Sequence, residues 1–138
     1  MANLEQLKLI KQGVERWNQW REQNSNIKPD LSESDLRQAY LQKANLSHAN
    51  LNKVKLQFSN LTSANLKESS LKKAKFQEAN LQSANLQSAN LSGASMLEAN
   101  LQYADLENAI LKYAQFVKMF ILSQRCFIES DQPQRSKS

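Results

Sequence analysis

Glycine and proline are nearly missing from this chain, with two of each in 138 residues. An all-β protein normally spends both on its turns, so a β reading requires corners made by other residues; the expectation is ordinary residues in ordinary backbone conformations, repeated regularly. Cysteine occurs once, as Cys126. That excludes a disulfide framework and a cysteine-based metal site, and it fits a reducing compartment, with the cytoplasm as default. Histidine also occurs once, as His48, with no second metal ligand or nucleophile at a useful spacing. No stretch approaches the ~18 apolar residues of a membrane span. The start, Met1-Ala2-Asn3-Leu4-Glu5, has no basic segment followed by an apolar one, so the expectation is a protein neither secreted nor inserted. A strong charge block is missing too: the net charge of +5 is spread along the chain, and aromatic residues do not interleave with the bases as a stacking platform for single strands would require.

What the chain does have is a period of five. Every fifth residue from Leu31 to Phe116 is Leu, Phe or Met, and beyond Pro29 the residue two places earlier is Ala or Ser with one sizeable exception before Met119, Val54. Five matches neither the helical 3.6 nor the strand's 2. It divides into a three-residue extended side, such as Ala44, Asn45 and Leu46, with the first and last pointing inward, and a two-residue turn, Ser47 and His48. Right-angled turns close the path after four sides, giving twenty-residue coils that stack about 4.8 Å apart. Folded on that repeat, Leu31, Leu51, Leu71, Leu91 and Leu111 form one column; Leu36, Leu56, Phe76, Met96 and Phe116 form the next. Leu41, Leu61, Leu81 and Leu101 form the third, and Leu46, Leu66, Leu86 and Leu106 the fourth. Burying one such leucine is worth roughly 1.5–3 kcal/mol, which accounts for the regularity without any catalytic demand.

The motif appears literally at Ala44-Asn45-Leu46, Ala64-Asn65-Leu66, Ala84-Asn85-Leu86, Ala99-Asn100-Leu101 and Ala104-Asp105-Leu106. It resembles the pentapeptide-repeat family, whose repeat runs A-(N/D)-L-x-x. The stretch from Leu9-Ile10-Lys11-Gln12-Gly13-Val14 through Trp17-Asn18-Gln19-Trp20-Arg21 to Lys28-Pro29-Asp30-Leu31 looks like the capping segment of cyanobacterial members. The resemblance implies an all-β solenoid, a right-handed quadrilateral β-helix with an N-terminal capping α-helix. The expected organisation is a capping helix and linker over residues 1–28, the repeats over 29–118, and a C-terminal cap or dimerisation segment with a disordered tail over 119–138.

Residues 4 to 23 read as one amphipathic helix with Leu4, Leu7, Ile10, Val14 and Trp17 on its apolar face. Asn3 is the expected N-cap, with Gln6 as its capping-box partner. Both ends of a β-solenoid need a lid, because an uncovered rim invites end-to-end association. Trp17 and Trp20 are assigned to the N-terminal lid. The apolar run from Val117 to Leu122 is assigned to a C-terminal lid or to a homodimer through that end.

No Ser-His-Asp set, carboxylate pair or phosphate loop can be assembled, so the expectation is no catalytic residue, no cofactor and no metal. The Asn column at 45, 65 and 85 reads as turn hydrogen bonding rather than a ligand surface. The lysines carry the one candidate site. Lys53 falls under Lys73 and Lys55 under Lys75, with Lys72 beside them and Lys112 two coils above Lys72; Glu33 and Asp35 lie below and partly neutralise the patch. Acidic columns such as those ascribed to gyrase-binding, DNA-mimicking members are absent apart from Glu78 stacked with Glu98. The resemblance therefore implies a scaffold or regulatory protein acting by protein–protein interaction, a rod of roughly 22 Å whose lysines are the candidate partner site. Modulation of a DNA-binding enzyme such as gyrase, or direct nucleic-acid binding through the lysines, is the alternative.

Overall fold

The amide of Leu31 donates to the carbonyl of Asn50 at 2.8 Å, and the amide of Asn50 returns a bond to Pro29 at 2.8 Å. This exchange, between residues about twenty apart, repeats through the computed structural model, which describes residues 1 to 116. Parallel bridges join Asp30 to Asn50, Asp35 to Lys55, Tyr40 to Asn60 and Asn45 to Asn65, and continue upward to Ser95 and Gln115. Each coil thus has four short sides, and the amide of every central residue from Leu31 to Met96 reaches the coil above at 2.7–2.8 Å. The columns inferred from the sequence are the columns observed. Leu46, Leu51, Leu56, Leu61, Leu66, Leu71 and Phe76 are wholly buried, as are Val54 and the alanines beside them to within a few per cent. Serine fits the small inward position because its hydroxyl turns back on the chain: Ser59 and Ser69 donate to Leu56 and Leu66 carbonyls at 2.7 Å.

The corners are not ordinary. Sixteen non-glycine residues, one at nearly every corner from Glu33 to Tyr113, have φ between 57° and 66°, and Gly93 joins them at 71°. Only the second turn residue has positive φ, and the following amide bonds back to the central carbonyl at 2.9–3.3 Å, which is the pattern of a type II turn. Left-handed backbone costs an L-residue about 1–2 kcal/mol. The offset is visible: the same residue's amide donates to the coil above, as from Glu33 to Asn52 and from Lys53 to Lys72. A ladder bond of this kind overrides residue preference, so glycine is dispensable.

The N-terminal segment also departs from expectation. It is two helices, α1 (Leu4–Lys11) and α2 (Val14–Gln23), broken at Gly13 with φ 127°. Asn3 does cap α1, accepting from the Gln6 amide at 3.1 Å. Gln6 is not its reciprocal partner: Gln6 Oε1 accepts from the Asp30 amide at 2.7 Å while the Asn3 amide donates to the Asp30 carbonyl at 2.8 Å. Leu4 is largely exposed, and Ile10 and Trp17 carry the buried contact. The rings of Trp17 and Trp20 lie 5.3 Å apart.

The cap works by imitating a coil. Trp17 Nε1 donates to the Asn45 carbonyl at 2.8 Å; Asn18 accepts from the Asn45 amide at 2.8 Å and donates to Lys43 at 3.0 Å. Arg21, buried, donates to the carbonyls of Ser47 and Ile27 at 2.8 and 3.0 Å. Side chains thus take over the roles a preceding main chain would play. The expected C-terminal cap or dimer segment, 119–138, lies outside the described residues, as does Cys126.

Candidate functional site

One outward position of each side, just before the central residue, decides how well the corner is hydrogen bonded. Where it is Asn or Asp, the side-chain oxygen accepts from the amide two residues on, as from Asn60 to Thr62, Asn80 to Gln82 and Asn90 to Ser92, each at 3.0 Å. That amide lies in the turn, outside the inter-coil ladder, so the Asx geometry supplies its partner. The expected turn role of the Asn column is what the structure shows.

The second side, centred on Leu36, Leu56, Phe76, Met96 and Phe116, breaks this pattern. Its outward column runs Asp35, Lys55, Lys75, Ser95 and Gln115. Asp35 still binds the Arg37 amide at 3.1 Å; above it the amides of Gln57, Gln77 and Leu97 have no acceptor among the described residues. Four side-chain atoms among the described residues are shielded from solvent without a hydrogen-bond partner, and three belong to this side: Gln57 Oε1, Gln77 Oε1 and Ser95 Oγ. A buried polar atom left so is unfavourable by about 1–3 kcal/mol.

All six candidate lysines are exposed. Lys55 and Lys75 are bridged neighbours on the side itself, and Lys53, Lys72 and Lys73 stand at the corner leading into it, the Lys53 amide bonded to the Lys72 carbonyl at 2.8 Å. Lys73 extends across the next coil, where a Cβ on Gly93 would sit 3.3 Å from its Cγ. Lys112 is placed as expected, two coils above Lys72 with Ser92 between, but its ammonium lies 5.4 Å from the Tyr113 ring centroid. The neutralisation expected from below is weaker than the columns imply. Asp35 is held by Arg37 at 2.8 and 2.7 Å, and among the described residues neither Asp35 nor Glu33 forms an ion pair with a lysine. The Arg37 side chain, through those hydrogen bonds, holds the Asp35 carboxyl well below the usual carboxylate range. The result is a face rich in lysines without an ion-pair partner among the described residues. Phe58, more than half exposed, stands at its far corner beside Gln57; periodicity gave no signal for Phe58 or the orphaned amides, but the missing Asn in this one column did.

Elsewhere the surface offers little chemistry. His48 is exposed and its Nδ1 lies 3.5 Å from Glu68 Oε1, one coil above. Among the described residues no cluster of His, Cys, Asp or Glu could hold a metal ion, and no helix is long and apolar enough to cross a membrane.

Against known proteins, the family model for pentapeptide repeats matches in eight copies, over residues 30–67, 59–96, 74–112 and 98–118. Among solved structures, the chain is similar to a pentapeptide repeat protein, Rfr23, from the cyanobacterium Cyanothece 51142. The identity there is 31%, covering 75% of this chain and 67% of that one, with a TM-score of 0.48. A pentapeptide repeat protein from Nostoc PCC 7120 is 24% identical over 86% of this chain and 90% of its own, TM-score 0.34. One from the Arabidopsis thaliana thylakoid lumen is 29% identical over 60% and 68%, TM-score 0.29. Comparison with curated protein sequences gave no match. With the repeat model spanning well over half of the sequence and the twenty-residue ladder following the same register, this chain belongs to the pentapeptide repeat family.

Proposed function

We propose that the chain is a non-catalytic binding scaffold, a right-handed four-sided β-helix whose second side holds an acidic surface of a partner protein. One observation carries this: Lys55 and Lys75 occupy slots where the fold is better served by Asn or Asp, and they forgo the turn bonds that Asn60, Asn80 and Asn90 make. Departures from local consistency concentrate at functional positions. Lys53, Lys72 and Lys73 extend the same field around the corner, with Lys112 at its upper end, and a flat face whose lysines form no ion pair among the described residues favours encounter with an anionic surface. The lone cysteine supports a cytoplasmic setting.

The test is capture of a partner from the native source by the wild-type chain, by Lys55→Glu/Lys75→Glu, and by a control, Ser63→Glu/Ser83→Glu, placed on another corner. The lysine variant should lose at least ~tenfold of the captured partner while the control retains it, because like-charge contacts across an interface are strongly unfavourable. Equal retention by the lysine variant removes the reading. Binding of duplex DNA that falls steeply with salt would move it to nucleic acid instead.

A further inference from the structure

The N-terminal lid covers two sides of the first coil and leaves two open. On the first side the Asp30 amide and carbonyl are taken by Gln6 and Asn3, and on the fourth side the Asn45 amide and carbonyl and the Ser47 carbonyl are taken by Asn18, Trp17 and Arg21. On the second and third sides the equivalent groups have no partner among the described residues: the amides and carbonyls of Asp35 and Tyr40 and the carbonyls of Arg37 and Gln42. One coil higher every one of these positions is bonded. The Lys55 amide meets Ser34 at 2.9 Å, and the Lys55 and Gln57 carbonyls meet Leu36 and Gln38 at 2.8 and 3.0 Å. The Asn60 amide meets Ala39 at 2.9 Å, and the Asn60 and Thr62 carbonyls meet Leu41 and Lys43 at 2.7 and 3.0 Å. The elbow between α1 and α2 passes over this open half without bonding to it. A cleft of about 470 Å³ remains between them, walled by Gly13, Ala39 and Tyr40 with the buried Ile10, Leu36 and Leu41 at its floor.

We propose that this open half of the rim binds a single extended segment of a partner protein, which supplies the half-coil that the stack lacks. The pattern of donors and acceptors selects the occupant. A main chain running parallel to residues 34–42 presents amides to the Asp35 and Tyr40 carbonyls and carbonyls to their amides, as each coil does for the next. A helix cannot, because its own backbone groups are already spent within it. The end of a second copy of the rod cannot seat there either, since α1 and α2 stand on the other two sides of the same rim. The space beside the elbow is open, and a Cβ on Gly13 would meet nothing within 4 Å. Asp35 and Arg37 neutralise each other at its edge, so the segment is selected by its backbone rather than by charge. This site lies at the foot of the second side, below the lysines, and stands whether or not they bind.

The experiment is amide hydrogen exchange, read residue by residue by NMR on the full chain, with a synthetic peptide copying residues 54 to 62 as the probe. In the free protein the Asp35 and Tyr40 amides should exchange quickly while Lys55 and Asn60, the same positions one coil higher, are protected. Millimolar peptide should slow Asp35 and Tyr40 at least ~tenfold. The same peptide N-methylated at Leu56 and Leu61, which removes the donors to the Asp35 and Tyr40 carbonyls, should not. Protection of Asp35 and Tyr40 in the free protein would overturn the proposal, because another part of the chain would already fill the cleft. So would no slowing with the unmodified peptide, or equal slowing with the methylated one.

Discussion

The second and fourth sides of the rod share one interior and differ outside. Their inward residues, Leu36, Leu56, Phe76 and Met96 against Leu46, Leu66, Leu86 and Leu106, are all buried. On the fourth side every outward slot is Asn or Asp, and Asn45, Asn65, Asn85 and Asp105 each accept from the amide two residues on at 3.0–3.2 Å. On the second side only Asp35 does so, and the positions above it are Lys55, Lys75 and Ser95. The inward columns therefore specify the shape, while an outward column is free to exchange turn bonds for surface chemistry.

If the interior is common to both sides, Leu56→Ala and Leu66→Ala should each lower stability by ~2–5 kcal/mol, read from urea unfolding; a much cheaper Leu56→Ala would mean that the sides differ inside as well. Turn bonds should separate them next. Asn65→Ala and Asn85→Ala are each expected to lose about 0.5–1.5 kcal/mol, while Lys75→Asn gains up to the same amount by giving the Gln77 amide an acceptor. A Lys75→Asn that destabilises would show that the lysine already serves the fold. The smallest effect belongs to Asp35. Its carboxyl is held low first by the hydrogen bonds from Arg37, so it adds stability above the ordinary carboxylate pKa of about 4, and that stability is lost as pH falls below this value. Asp35→Asn should thus show a shallower decline in unfolding midpoint toward pH ~2 than the wild type, by a small margin because the pair is about half exposed and screened by salt.

Much of the architecture was legible because a five-residue period admits few geometries. Stacked columns, small inward residues, the exposed lysines and the turn role of Asn followed from it directly. The corners did not: Phe58, Glu68 and Tyr103 have side chains that disfavour positive φ, and the ladder amide that holds them there is invisible to a residue-by-residue reading. Gly13 was a readable break in the helical pattern, since a lone glycine inside an apolar periodicity marks a boundary. The half-covered rim could not be foreseen, because it depends on which side chains of α2 reach Asn45 and Ser47. The unsatisfied second side was within reach, as its column alone lacks Asn above the first coil.

The uniform corner has a consequence for how such rods change over generations. Removing or adding twenty residues alters the length by one storey and leaves each face's chemistry aligned above and below the edit. Removing five instead rotates everything beyond it by a quarter turn, so that Lys75 would stand over Asp30 rather than over Asp35, and adding five would set it over Tyr40. A cluster spanning two storeys, such as Lys55 with Lys75, is therefore a vernier that tolerates whole-storey indels and is scrambled by single-repeat ones lying between its members.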